Sequence, residues 1–104
     1  MTVPHAVQAS DYYVLTEKGK VFKNNKKIDG GYKGVAIAAC GQDYYVLTEK
    51  GKVFKNNKAI DSGYKGVAIA AASDGYYVLT EKGKVFKNNK PIDSGYKGVG
   101  LAAN

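Results

Sequence analysis

A stretch of 15 residues occurs three times in this chain without a single change, at intervals of 32 residues. The copies cover 12–26, 44–58 and 76–90, and each reads Tyr-Tyr-Val-Leu-Thr-Glu-Lys-Gly-Lys-Val-Phe-Lys-Asn-Asn-Lys. A fixed period of this length is the signature of a repeat architecture, in which each unit buries its apolar surface against its neighbours. The fold of the 104-residue chain must therefore be built from nearly equal units.

The repeated stretch predicts a β-hairpin in each copy. Tyr-Tyr-Val-Leu-Thr and the shorter Lys-Val-Phe-Lys are rich in aromatic and β-branched residues, which suit a pleated, packed surface. The connection between them ends in a glycine, Gly19 in the first copy, and glycine adopts the positive φ of a hairpin turn without steric cost. Both faces of the longer strand carry apolar bulk, such as Val14 on one and Leu15 on the other, so we expect sheets that are covered on both sides.

Each complete unit supplies four predicted strands, which differ in the size of their side chains. In the second unit these are a strand of small residues at Val35–Ala39, a long strand at Tyr44–Thr48, a short strand at Lys52–Lys55 and a marginal outer strand at Lys58–Asp61. The small-residue run is too short for a helix, and glycines flank it on both sides. The sequence therefore predicts an all-β protein with three 32-residue, four-stranded repeats.

The repeats form one domain, 1–104, and fall at about 2–31, 32–63 and 64–95. Thr2–Ser10 matches the repeat poorly, and Pro4 would remove a hydrogen-bond donor from a central strand, so we predict a diverged or edge strand there. Residues 96–104 begin a further unit. We expect the strand within them, Val99–Ala103, to complete a sheet at the other terminus or in another chain.

The second and third repeats are identical at 27 of 32 positions. Repeats normally drift apart, because each copy meets different neighbours. Near identity therefore favours a deliberately symmetrised sequence over a very recent duplication.

The net charge of +7 comes from 16 basic residues, all of them lysines spread along every repeat. Planar, bidentate recognition of phosphate or guanine is mainly arginine chemistry, so we expect only weak, nonspecific, salt-sensitive binding of nucleic acid or other anionic polymers. No apolar run approaches the roughly 20 residues of a membrane span, and we expect no membrane partner. The first residues do not resemble a signal peptide, which favours the cytoplasm for the chain as it stands.

Catalysis and metal binding lack a suitable set of residues. His5 is the only histidine, and Cys40 is the only cysteine and is replaced by Ala72 in the next repeat. The repeated glutamate, Glu17 in the first copy, sits beside a lysine at a hairpin tip, which is an exposed setting. We therefore expect no enzyme activity, no catalytic residues, no metal site and no cofactor.

The segment Val67–Phe86 reads Val-Ala-Ile-Ala-Ala-Ala-Ser-Asp-Gly-Tyr-Tyr-Val-Leu-Thr-Glu-Lys-Gly-Lys-Val-Phe. With its small-residue strand, glycine-containing loop, apolar strand, glycine turn and short strand ending in an aromatic residue, it resembles a blade of the tectonin and chromosome-condensation-regulator β-propellers. The resemblance extends over nearly the whole chain. It implies β-propeller blades, with the small residues on the innermost strand and the Lys-Asn-Asn-Lys turns on the outer rim.

Propellers close with about four to eight blades, so three blades need further blades to complete a ring. Two chains supply six and three chains supply nine, so we expect a homodimer that forms a six-bladed ring, with a nine-bladed trimer as the second choice. Val99–Ala103 would then supply the inner strand of the partner's first blade. The alternative fold is a β-prism or β-trefoil closed within one chain, since three repeats also suit those folds.

The expected function is that of a non-enzymatic, self-assembling β-propeller scaffold with no evolved ligand. The alternative, which the tectonin resemblance implies, is a lectin that binds glycans at repeated sites between blades. The candidate ligand-binding residues recur in every repeat and are Tyr32, Tyr64, Tyr96, Asp29, Asp61, Asp93, Asn24, Asn56 and Asn88. In the competing interpretation the tyrosines pack between blades and the aspartates stabilise turns.

Overall fold

A computed structural model describes residues 11–104, which contain eleven β-strands and no helix. The strands form three antiparallel sheets, each of which follows the order of the chain. The first sheet holds β1 (Tyr13–Leu15), β2 (Val21–Lys23) and β3 (Lys26–Asp29). The second holds β4 (Gly34–Cys40), β5 (Asp43–Thr48), β6 (Val53–Lys55) and β7 (Lys58–Asp61). The third holds β8 (Gly66–Ala72), β9 (Gly75–Thr80), β10 (Val85–Lys87) and β11 (Lys90–Asp93).

This architecture confirms the prediction of an all-β protein made of four-stranded repeats. The strand predicted at Thr2–Ser10 lies outside the described residues, so the first sheet has three described strands. The strand predicted at Val99–Ala103 is not formed in the single chain, where the last strand, β11, ends at Asp93. Val99 is 96% exposed there.

The outer two strands of each sheet are joined by a two-residue turn of two asparagines. In the first sheet, Lys23 pairs with Lys26 across Asn24 and Asn25, which have φ angles of 51° and 69°. A type I′ turn requires positive φ at both central residues, and asparagine tolerates that conformation better than most side chains do. The Asn-Asn pair therefore determines where each outer strand begins.

The tip of each long hairpin anchors the chain as it crosses to the next sheet. Gly51 has a φ of 85°, and its carbonyl accepts a hydrogen bond of 3.1 Å from the backbone N–H of Tyr64. A Cβ on Gly51 would overlap the carbonyl oxygen of Tyr64. Glycine is required here both for its backbone conformation and for its lack of a side chain.

The three sheets lie face to face in an elongated row. β1 packs on β4, and β4 and β5 pack on β8. The molecule measures 52 × 28 × 22 Å, and its radius of gyration of 14.7 Å exceeds the value of about 13 Å for a compact chain of this length. Within residues 11–104 the second sheet thus lies between the first and the third.

Replacing Gly51 by alanine tests how strongly the hairpin tip holds the next sheet. The Gly51→Ala variant should lose about 3 kcal/mol of unfolding free energy, since it combines an unfavourable positive φ with a backbone clash. Urea denaturation measures this loss. Gly63→Ala is the matched control, because Gly63 has a φ of 94° and nothing within 4 Å of an added Cβ. Equal losses in the two variants would contradict the clash.

Candidate functional site

The junction between the second and third sheets contains the larger of the two apolar clusters found among the described residues. On the second sheet it contains Tyr45, Leu47 and Val53, and on the third it contains Tyr76 and Val78. The rings of Tyr45 and Tyr76 face each other with centroids 5.3 Å apart. The two sheets therefore share one core that neither of them could form alone.

The junction between the first and second sheets repeats this arrangement. Leu15 and Val21 of the first sheet pack with Tyr44 and Val46 of the second. Tyr13 stacks on Tyr44, again with ring centroids 5.3 Å apart. Each junction thus joins unlike faces: the face that carries the second tyrosine of one Tyr-Tyr pair meets the face that carries the first tyrosine of the next.

Two of the tyrosines proposed as ligand-binding residues are buried inside these junctions. Tyr32 donates a hydrogen bond of 2.6 Å to Asn57 Oδ1, and Tyr64 donates one of 2.7 Å to Asn89 Oδ1. Each tyrosine also meets a phenylalanine edge to face, as Tyr64 does Phe86 at 5.2 Å. These contacts give both tyrosines a packing role between sheets.

A second polar contact crosses the larger junction. The Tyr76 hydroxyl donates a hydrogen bond to the Asp61 carboxylate. Burial, and then this hydrogen bond, raise the pKa of Tyr76 far above its usual value of 10.0. Burial also raises the pKa of the Asp29 carboxyl, the copy of Asp61 in the first sheet. By repeat symmetry, Asp29 would accept a hydrogen bond from the Tyr44 hydroxyl. In the described structure this hydroxyl is buried and has no hydrogen-bond partner.

The first asparagine of each turn braces the long strand of its own sheet. Asn56 Oδ1 accepts a hydrogen bond of 3.0 Å from the Tyr44 N–H, and Asn56 Nδ2 donates one of 2.9 Å to Asp43. Asn24 and Asn88 brace Tyr12 and Tyr76 in the same way. The geometry therefore gives these three predicted ligand residues a structural task.

The third copies of the predicted site residues lie at the end of the row. Tyr96 is 52% exposed, whereas its copies Tyr32 and Tyr64 are 7% and 6% exposed. Asp93 is exposed as well. No fourth sheet follows these residues within 11–104, so no sheet in that range covers them.

The second asparagine of each turn was not among the predicted site residues. In the second and third sheets these asparagines, Asn57 and Asn89, accept the hydroxyls of Tyr32 and Tyr64. The Asn-Asn pair was visible in the sequence as a turn signal. Its contact with a tyrosine 25 residues away depends on how two sheets are placed against each other, which the sequence pattern does not specify.

Open clefts border the junction between the second and third sheets. One, of about 470 Å³, is lined by polar and aromatic groups that include Asp43, Lys55, Asp74 and Asn88. Another, of about 310 Å³, is lined by the lysines Lys65, Lys82 and Lys84 together with Tyr64 and Phe86. The described residues contain no cluster of His, Cys, Asp and Glu that could hold a metal ion.

Residues 11–104 contain no helix that could cross a membrane. No protein-family model matches the sequence, and no curated protein matches it significantly.

The raised pKa of Tyr76 predicts a loss of stability at alkaline pH. The folded state holds this phenol protonated, whereas the unfolded state releases the proton near the usual pKa of 10.0. The stabilisation is therefore complete below about pH 10 and declines as the pH rises further. Urea denaturation between about pH 8 and 11 should show this decline, and Tyr76→Phe should make it shallower. An equally steep decline in the variant would contradict the assignment.

Proposed function

We propose that this protein is a non-enzymatic, self-assembling repeat protein of the β-propeller type, in which each sheet is a blade and two chains close a ring of six. The observation that carries the proposal is the pair of unlike end faces on the row of sheets. At the interior junctions a neighbouring sheet covers each kind of face, and at the two ends no other sheet within residues 11–104 covers it.

The leading face, on the first sheet, exposes apolar side chains that are buried in their other copies. Tyr12 is 55% exposed and Val14 is 45% exposed, whereas their copies Tyr44 and Val46 are 5% and 0% exposed. A contiguous exposed apolar surface marks an interaction site. The row therefore begins with a face suited to receive another sheet.

The trailing face, on the third sheet, contains a groove of about 360 Å³ lined by residues that include Tyr77, Leu79, Tyr96 and Leu101. Gly98 lies against Leu79 as Gly66 lies against Leu47 at the interior junction. Residues from Gly98 onward therefore start along the path of a fourth inner strand. The groove lies beside these residues. At the interior junction, the equivalent space is filled by a long strand such as β9.

The number of blades favours two chains. Propellers close with about four to eight blades, so a six-bladed dimer lies within the range and a nine-bladed trimer lies beyond it. Near-identical repeats support closure, because the end faces then carry mostly the same side chains as the interior junctions, with Leu101 in the place of Ile69 as an exception. A deliberately symmetrised scaffold without an evolved ligand accounts for this identity.

A glycan-binding function is the second candidate, and the polar cleft of about 470 Å³ favours it. The cleft combines carboxylate, amide and lysine groups with Tyr45 and Tyr76, which is a suitable lining for a sugar. The hydroxyls of Tyr32 and Tyr64 are engaged within the chain, so a sugar would bind the cleft groups instead. A glycan array measured with wild type and with Asp74→Ala tests this function. Binding that is unaffected by the substitution would exclude the cleft.

The mass in solution tests the assembly. Light scattering should give twice the chain mass of 11.1 kDa, and Val14→Lys should shift the protein to single chains by placing a charge in the closing junction. Ile28→Lys is the control. Ile28 is 41% exposed, and its copy Ile60 is also 41% exposed even though a neighbouring sheet lies beside it. This position therefore stays outside the buried core. A folded, monomeric wild type at micromolar concentration would sink the proposal.

A further inference from the structure

We infer that the two chains meet head to tail, and that each contact between them follows the junction between the second and third sheets at equivalent positions. Tyr96 donates a hydrogen bond to the partner's Asn25, and the partner's Tyr12 donates one to Asp93. This inference rests on the proposed self-assembly and adds to it the orientation, the register and the polar contacts of the interface.

The first polar contact follows from two interior copies. Tyr32 donates to Asn57 and Tyr64 donates to Asn89, each with an acceptor 25 residues further along the chain. The third tyrosine of the series is Tyr96, which is 52% exposed. In the first repeat the residue equivalent to Asn57 and Asn89 is Asn25, which is exposed and has the same positive φ.

The second polar contact follows from the hydrogen bond between Tyr76 and Asp61. The copy of Tyr76 in the first repeat is Tyr12, and the copy of Asp61 in the third repeat is Asp93. Both are exposed in the single chain, at opposite ends of the row. A donor and its acceptor are therefore separated in one chain and are brought together by a second.

The aromatic contacts give the same orientation. Tyr45 packs on Tyr76 and Tyr13 stacks on Tyr44, in each case with the second tyrosine of one pair against the first tyrosine of the next. Tyr77 is the second tyrosine of the third pair. It therefore stacks on the partner's Tyr12, which completes the series.

The inner strand gives the register. β5 and β9 each pair with an inner strand, β4 and β8, whereas β1 pairs only with β2 among residues 11–104. Ile69 of β8 lies opposite Val78, and the corresponding residues are Leu101 and the partner's Val14. The segment from Gly98 onward adds by β-augmentation to the edge of the partner's β1 that no strand within 11–104 occupies, so that main-chain hydrogen bonds join the two chains.

A head-to-head contact does not satisfy these groups. It would place two leading faces together, with Tyr12 opposite the partner's Tyr12 and both Asp93 carboxylates left out of the interface. Head-to-tail contacts between two chains give a closed ring with two equal interfaces when the rotation closes, and open filaments when it does not. The unlike end faces thus determine the kind of symmetry.

Two variants, each blocked at one end, test the orientation. Val14→Lys blocks the leading face and Leu101→Lys blocks the trailing face, and both add the same charge, so the two variants do not attract each other. Each variant alone should be monomeric, and an equimolar mixture at about 100 µM should form a one-to-one complex through the single intact junction, since one junction binds more weakly than two. Light scattering and native mass spectrometry measure this.

The polar contact between Tyr96 and the partner's Asn25 is tested by a double-mutant cycle. Tyr96→Phe and Asn25→Gly remove the donor and the acceptor, and glycine keeps the positive φ of the turn. Because the ring contains this hydrogen bond twice, each variant should weaken the dimer about thirty-fold, and the double variant should be little weaker than either single variant. Tyr64→Phe is the matched control, since it removes the same bond inside the chain and should act on unfolding.

The outcomes separate this inference from the proposed function. A monomeric wild type overturns the assembly itself. If the wild type is dimeric and one blocked variant also remains dimeric on its own, the contact is head to head. That result overturns the inference alone. A mixture of blocked variants that stays monomeric, or fully additive effects of Tyr96→Phe and Asn25→Gly, overturns it as well. Filaments in place of dimers keep the junction and overturn the six-bladed ring.

Discussion

The burial of a tyrosine, leucine and valine face against the next sheet is the contact on which the rest of this structure depends. A sheet of three or four short strands has two apolar faces and no interior of its own, so its strands need an apposed sheet for stability. Both core clusters of the described chain are accordingly junctions between sheets. Stability in such a molecule is approximately a sum of repeat and nearest-neighbour terms, and long-range contacts contribute little.

The local devices of the repeat all serve that contact. The carbonyl of Gly51 holds the N–H of Tyr64, which fixes where the chain enters the third sheet. From there the Tyr64 side chain donates a hydrogen bond to Asn89, a turn residue with a φ of 69°. One glycine, one tyrosine and one asparagine thus relate the tip of one hairpin to the rim of the next sheet. Their recurrence gives both described junctions the same contact between a tyrosine and an asparagine.

The sequence was sufficient to predict the strands of each sheet but not the contacts between the sheets. Aromatic and β-branched content together with glycine turns placed four strands in each complete unit, because these signals act over a few residues. The acceptor role of Asn57 could not be inferred, since it depends on the offset between two sheets. The tyrosines Tyr32 and Tyr64 were seen as recurrent aromatic residues, yet recurrence alone does not distinguish a packed ring from a ligand platform. Only burial and an engaged hydroxyl separate the two roles.

A stack of repeats usually ends in capping units with a polar outer face, because uncapped apolar faces associate with one another. Within the described residues this chain has no such cap: Tyr12 and Val14 open one end, and Tyr96 with the groove beside Leu101 opens the other. The lysines that protect solubility are distributed equally over the repeats and do not distinguish the ends from the interior. When the terminal faces carry the same side chains as the interior junctions, attraction between chains has the same physical origin as the cohesion of one chain. The proposed assembly would then be a consequence of the repeat itself and would require no separate interface.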